Sequence, residues 1–209
     1  MTDQEFLDKV GLHAISCKEL SEGNGGYNIK RGMARVMSGY VEDLFALYLA
    51  KRINRHDLSF LVDKATSIRF SKNGKATTFK PDISIVNNDH VVTHYYDLKT
   101  NLGWQRDLKD YLKNKSVFID KIKGRPAWIH YSKENIQEIR ISPNIKYKMV
   151  VIDGGNINKN QLAENIRLAQ EYENIELYIL NRFQEDKTHI INSDDFIRLH
   201  SNALELCSI

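Results

Sequence analysis

The chain has 209 residues, 42% of them hydrophobic, and a formal net charge of +3 from 30 Lys and Arg against 27 Asp and Glu. That length suits one domain with a sizeable core, and so small a net charge does not by itself announce a nucleic-acid partner. Cys17 and Cys207 belong to no CxxC or Cys/His cluster, so neither a disulfide framework nor a zinc site is indicated and a reducing cytoplasm is expected. The opening MTDQEFLDKV is acidic where a secretory signal is basic, and no stretch approaches the roughly 18 apolar residues of a membrane span; no membrane partner is expected.

In chain order, residues 3 to 20 predict a short amphipathic helix through Phe6, Leu7, Val10 and Ile15, followed by the glycine-rich loop SEGNGGYNIKRG. From Arg35 to about Ile53, Met37, Tyr40, Val41, Leu44, Phe45, Tyr48 and Leu49 recur at helical spacing and predict a second helix. A β region follows over 60 to 70, Phe79 to Val86 and Val91 to Lys99, with Asn87-Asn88-Asp89-His90 as the turn of a hairpin. A helix is expected from about Gly103 to Ile122, with Trp104, Leu108, Tyr111, Leu112, Phe118 and Ile119 inward. Strand Tyr147 to Ile152, helix Lys159 to Tyr172 and strand Ile175 to Leu180 then have the spacing of a parallel βαβ unit. Asp153-Gly154-Gly155-Asn156 lacks both phosphate-loop glycine patterns and reads as a strand-ending turn.

The order α, β, β, β, α, β, α, β predicts an α/β (mixed α+β) fold, a central mixed sheet containing an antiparallel meander and flanked by helices. One domain is expected, its core running from about 35 to 152. Residues 1–34 and a C-terminal βαβ extension, 153–209, decorate it.

Charged residues inside otherwise apolar strands carry the chemical signal. Alternation along a strand sends Asp97 and Lys99 to one face and Tyr96 and Leu98 to the other. His94 alternates with Asp97 and is read as packing. A hairpin symmetric about Asn88-Asp89 sets Asp82 opposite Tyr95 and diagonal to Asp97, roughly 7–8 Å away on one face. Two carboxylates so placed can share a divalent cation; hard oxygen ligands favour Mg2+, with Lys99 beside a metal-bound water. Hydrolysis of a phosphodiester needs such a cation and a nucleophile of lowered pKa.

Pro81-Asp82, a stretch of intervening strand and turn, then Asp97-Leu98-Lys99 resembles the signature of the PD-(D/E)xK nucleases, which include most type II restriction endonucleases. The resemblance runs from about Arg35 to Ile152 and implies a restriction-endonuclease-like core. By it, Asp82, Asp97 and the Leu98 carbonyl hold Mg2+, for which Mn2+ can substitute, and Lys99 positions or activates the attacking water. It also implies a metal-associated Glu on the preceding helix, for which Glu42 is the candidate; helical geometry alone leaves Asp43, on the other edge of the same stripe, equally open. Lys30, Arg31, Arg35, Arg106, Lys109 and Lys113 are candidates for holding DNA phosphates, against the ordinary reading of solvated charged faces. Tyr95 and Trp104 suit base stacking or, more commonly, the core. The expected activity is cleavage of double-stranded DNA by a sequence-specific homodimer, two-fold symmetry matching a palindromic site. The alternatives are a structure-specific repair or recombination nuclease and a non-catalytic DNA-binding module on the same scaffold.

Overall fold

The computed structural model describes residues 1–21, 37–101, 108–132, 134–154, 158–183 and 189–206. The elements are α1 (Asp3–Ser21), α2 (Ser38–Ile53), β1 (Ser59–Val62), β2 (Thr66–Ile68), β3 (Thr77–Phe79), β4 (Ile83–Val86), β5 (Val91–Asn101) and α3 (Leu108–Ile122). They continue with β6 (Pro126–His130), β7 (Ile136–Ile141), β8 (Tyr147–Asp153), α4 (Lys159–Gln170), β9 (Ile175–Ile179), β10 (Asn181–Phe183), β11 (His189–Ile191) and α5 (Ser193–Leu206). Ser21, the first residue of the expected glycine-rich loop, ends α1, and the rest of that loop, with Lys30 and Arg31, as well as Arg35, Trp104, Arg106, Gly155, Asn156 and Cys207, lies outside the described residues.

The fold is the mixed α/β arrangement that the element order predicts. A nine-stranded sheet contains the antiparallel run β1-β4-β5, to which β8 and β9 add in parallel. The β8-α4-β9 segment is the βαβ unit expected from its spacing. The first half of β5 instead pairs with β7, and β7-β6-β2-β3 continues from there as an antiparallel wing.

Two apolar layers follow from strand alternation. Tyr95, Tyr147, Met149, Val151, Leu177 and Ile179 face one way and are covered by α3 through Leu108, Leu112, Ile119 and Ile122, with Leu168 and Ala169 of α4. Ile83, Ile85, Tyr96, Val150 and Tyr178 face the other way, under Val41, Phe45, Tyr48 and Leu49 of α2, Phe6 of α1 and Phe196 and Leu199 of α5. Burying both faces explains why β8 reads as a continuous apolar run.

Several sequence expectations are corrected. The single strand expected over 60 to 70 is broken at Asp63, which adopts a left-handed φ of 53°, so β1 stays in the meander while β2 leaves for the wing. The expected strand from Phe79 is likewise broken at Pro81, which has no N–H to donate and suits a strand's first position. Strands β6 and β7, the β10-β11 hairpin and α5 are additional elements. On α1, Phe6 is fully buried and Leu7 and Val10 pack against the same layer, but Ile15 is 56% exposed. Tyr40 is exposed and stacks on His13, with ring centroids 3.9 Å apart.

Gly154 ends β8 for a steric reason. Its N–H donates to the Asn181 carbonyl at 2.9 Å, and a Cβ there would lie 2.6 Å from Ile179 Cγ2. Ile179 is buried and β-branched, so it has no rotamer into which to retreat. Gly154→Ala is therefore expected to destabilise the fold by about 1–3 kcal/mol. The measurement is a urea melt, which should show a lower midpoint with unchanged slope.

Candidate active site

Asp82 and Asp97 meet where β4 begins and β5 ends, through a hairpin whose register differs from the expected one. The turn is longer by one residue: Asn87 N–H donates to the Val91 carbonyl at 3.0 Å, and the loop closes through His90 at φ 58°. By itself this shift would turn Asp82 away from Asp97. A bulge then adds a second shift, because Val86 pairs with Val92 whereas Ile85 pairs with His94, leaving Thr93 between them. Thr93 holds the irregularity by donating its hydroxyl to the Ile85 carbonyl at 3.2 Å. Two successive shifts restore the face. Ser84 pairs with Tyr95 and Ile83 with Tyr96, so continuing the ladder sets Asp82 directly opposite Asp97 rather than diagonal to it.

Asp82 is half-buried, and its backbone carbonyl accepts from Asp63 N–H at 2.9 Å. Its Oδ2 accepts from Leu98 N–H at 2.6 Å. The Leu98 N–H therefore points to the β4 edge, and in an antiparallel ladder the carbonyl of the same residue leaves on the same edge. Asp97 is buried, and its Oδ2 takes three donors: Lys99 Nζ at 2.9 Å, the Tyr111 hydroxyl at 2.6 Å, and the Tyr147 hydroxyl. The two phenol oxygens lie 2.9 Å apart.

These surroundings push the two carboxyl groups apart. Burial, reinforced by the neighbouring Asp97 carboxylate, holds Asp82 well above the usual carboxylate range. Burial opposes ionisation of Asp97 as well, but the Lys99 ammonium and the hydroxyls of Tyr111 and Tyr147 outweigh it and hold Asp97 below that range. One carboxylate is thus fixed as an anion while its neighbour forms no ion pair with a described residue.

Glu42 of α2 is half-buried and Asp43 exposed. Burial raises the Glu42 pKa, the Asp63 carboxylate raises it further, and Lys80 and Asp97 act on it as well. Glu42 therefore sits within the electrostatic reach of the site. Lys80 is paired with Asp63 at 2.7 Å on the same rim. Lys109 and Lys113 are exposed on α3. His94 is buried on the opposite face of the sheet, its ring stacked on Tyr96.

Three further residues belong to the site although their sequence positions suggest core or ordinary surface. Tyr111 and Tyr147 orient Asp97, and Lys115, one helical turn after Tyr111, lies over the rings of Tyr147, Tyr111 and Tyr95 at 4.9, 5.3 and 5.5 Å from their centroids. Burial lowers the Lys115 pKa, against the pull of Asp97 and Asp82. The available signal was a tyrosine on the inner stripe of α3, since a buried phenol requires a polar partner.

The donor set suits magnesium. Mg2+ commonly takes one or two protein carboxylates and completes its shell with water and phosphate oxygens. Asp82 and Asp97 supply two facing carboxylates, and no described residue forms an ion pair with Asp82. Among the described residues no cluster of three His, Cys, Asp or Glu side chains is placed to hold a metal ion. No described helix is long and apolar enough to cross a membrane. Comparison of the chain with protein-family models, with curated proteins and with solved structures returned no match.

Proposed function

We propose that the chain is a Mg2+-dependent endodeoxyribonuclease of the PD-(D/E)xK type, acting on double-stranded DNA as a restriction-type homodimer. The observation that supports this reading most directly is the facing pair Asp82 and Asp97 with Lys99 bonded to Asp97. Asp82 and Asp97, with the Leu98 carbonyl and with Glu42 behind them, are the groups that would hold the metal. When bound, Mg2+ supplies Lewis-acid stabilisation of charge developing on the phosphate and lowers the pKa of a coordinated water.

The chain's own residues have separable tasks. Tyr111 and Tyr147 fix the orientation of the Asp97 carboxylate, so the site is set before substrate arrives. Lys99, half-buried and bonded to Asp97, orients the water that attacks phosphorus. Lys115 adds a second positive charge over the tyrosine rings, suited to phosphate oxygens. Attack forms a P–O bond to the water oxygen and breaks the bond from phosphorus to the 3′-oxygen, which takes up a proton; the products carry a 5′-phosphate and a 3′-hydroxyl. Lys109 and Lys113 of α3, and Lys30, Arg31, Arg35 and Arg106, are proposed to contact the DNA backbone.

The test is incubation of supercoiled plasmid with the protein and Mg2+, beside an EDTA control and Asp97→Ala. Nicked and linear products are expected only from the wild-type protein with metal. Equal conversion in EDTA or by Asp97→Ala would overturn the assignment. End-mapping on a sequenced genome separates a fixed recognition sequence from structure-directed cutting.

A further inference from the structure

The wing carries a pocket of about 370 Å³ on its outer face, lined by Ser67, Arg69, Ala76, Trp128, His130 and Ile136. Its placement follows from strand alternation. Ala127 and Ile129 of β6 are fully buried against the core, so Trp128 and His130 between and beyond them face outward. Ser67 of β2 is the cross-strand partner of Trp128 and, on its other side, of Thr78.

The lining is built rather than incidental. Ser67 is 8% exposed, and its hydroxyl joins Thr78 Oγ1 and His130 Nε2, each at 2.9 Å, which fixes the imidazole at the pocket's edge. Trp128 presents a half-exposed indole with the Arg69 guanidinium 5.8 Å from its centroid. An aromatic ring with a guanidinium over it and hydrogen-bonding groups at its edge can receive an unstacked base, which stacks on the ring and on the guanidinium plane. Glu138, exposed on β7 and paired with Trp128, disfavours a phosphate beside the ring while accepting the amino or imino donors of a base. The volume lies at the lower end of the range for small-ligand pockets, which suits one nucleoside rather than an extended ligand.

The pocket opens on the sheet face opposite the layer of Ala127, Ile129 and Tyr95, on whose side Asp82 and Asp97 lie, and it is joined to Asp82 through backbone. Asp63 N–H donates to the Asp82 carbonyl at 2.9 Å, and two residues later the Ala65 carbonyl accepts from His130 N–H at 3.0 Å; the intervening backbone spans about 7 Å at most. We propose that this pocket binds one unstacked nucleobase of a DNA strand, on the face of the sheet away from the Asp82–Asp97 site. The inference rests on the nuclease reading for its choice of DNA.

Binding is tested on the full chain in EDTA, where no cleavage is involved, so failure of this proposal and failure of the nuclease reading remain distinct. In a Trp104→Phe background Trp128 is the single tryptophan. Titration with a short single-stranded oligothymidylate is expected to quench its fluorescence saturably. Trp128→Ala is expected to weaken binding roughly tenfold or more, as for loss of one base–aromatic stack; Trp128→Phe should stay within about threefold because a stacking face remains. The exposed Arg69→Ala, which leaves the inner face intact, should also weaken binding. An abasic strand should bind the wild type no better than the intact strand binds Trp128→Ala. Unchanged affinity in both Trp128→Ala and Arg69→Ala, or equal affinity for intact and abasic strands, would overturn the proposal. Thymidine monophosphate binding as tightly as the strand would overturn the assignment to a strand.

Discussion

Asp82→Asn is expected to abolish DNA cleavage and, in the same molecule, to raise the melting temperature of the metal-free protein. The two effects have one cause. Asp82 faces Asp97, Asp97 is buried and Asp82 half-buried, and no described residue forms an ion pair with Asp82, so burial and the Asp97 charge outweigh the more distant pull of Lys99. Asparagine keeps the acceptor for the Leu98 N–H and removes the like-charge repulsion. After discounting for the part of Asp82 that stays in contact with solvent, the gain is about 1 kcal/mol, or roughly 2–4 °C for a chain of this size. Activity should fall by a factor on the order of 10²–10³ or more, the usual consequence of removing one preorganised electrostatic group from a hydrolytic site.

Magnesium separates this from an ordinary stabilising substitution. A cation that binds only the folded state at ten times its dissociation constant adds about 1.4 kcal/mol, so the wild-type melting temperature should rise on adding Mg2+. That rise should be absent in Asp82→Asn. A wild-type protein indifferent to Mg2+, or an asparagine variant less stable than wild type without it, would show that the pair is not a strained cation site. Lys99→Ala gives a useful contrast: it too should lose cleavage, but with lower stability, because Asp97 then loses its ammonium partner.

What could be read from the amino-acid order follows from which interactions are periodic. The α2 stripe and the strand-helix-strand unit around Lys159 are expressed in local spacing, and both occur as expected. The face shared by Asp97 and Lys99 was legible for the same reason, since alternation is a property of a single strand; that Asp82 joins it was reached through a symmetric register that the structure replaces with two offsets that cancel. Their pairing was not. It depends on a turn closing through a left-handed His90 and on the bulge at Thr93, two one-residue offsets that no hydrophobic pattern reports. The outer strands of the wing, β2 and β3, were obscure because they are short and carry Thr66-Ser67 and Thr77-Thr78 rather than an apolar pattern. Tyr147, inside an apolar run, gave no sign that its hydroxyl ends on Asp97, because that contact joins β8 to β5 and exists only after the parallel pairing forms.

The largest stability loss is expected at Glu176→Gln, on the sheet face opposite the candidate site. Lys148 has no solvent exposure, and its Nζ donates to Glu176 Oε2 at 2.5 Å. The two residues are cross-strand partners on β8 and β9, so the contact is built into the register. Lys146 completes the carboxylate at 3.0 Å on Oε1, and Tyr178 donates its hydroxyl to Oε2 while accepting from Asn202 at 2.8 Å. Burial opposes ionisation of Glu176, but Lys148, Tyr178 and Lys146 win and hold its carboxyl down at about 2. Removing the negative charge leaves the Lys148 ammonium buried without its counter-ion, a loss of about 3–5 kcal/mol and a drop of roughly ten degrees in melting temperature. Lys148→Met combined with Glu176→Gln should recover most of it, because an uncharged side chain of similar length then replaces the lysine and no unpaired ammonium stays buried. The sign with pH follows from the depressed folded pKa: the contribution is fully present above the ordinary glutamate value of 4.5 and is lost as pH falls toward about 2. Urea melts across that window should show wild-type stability falling more steeply with acid than that of the double variant. Equal acid dependence in the two proteins, or a single variant within about 1 kcal/mol of wild type, would mean that the pair is already solvated in the folded protein.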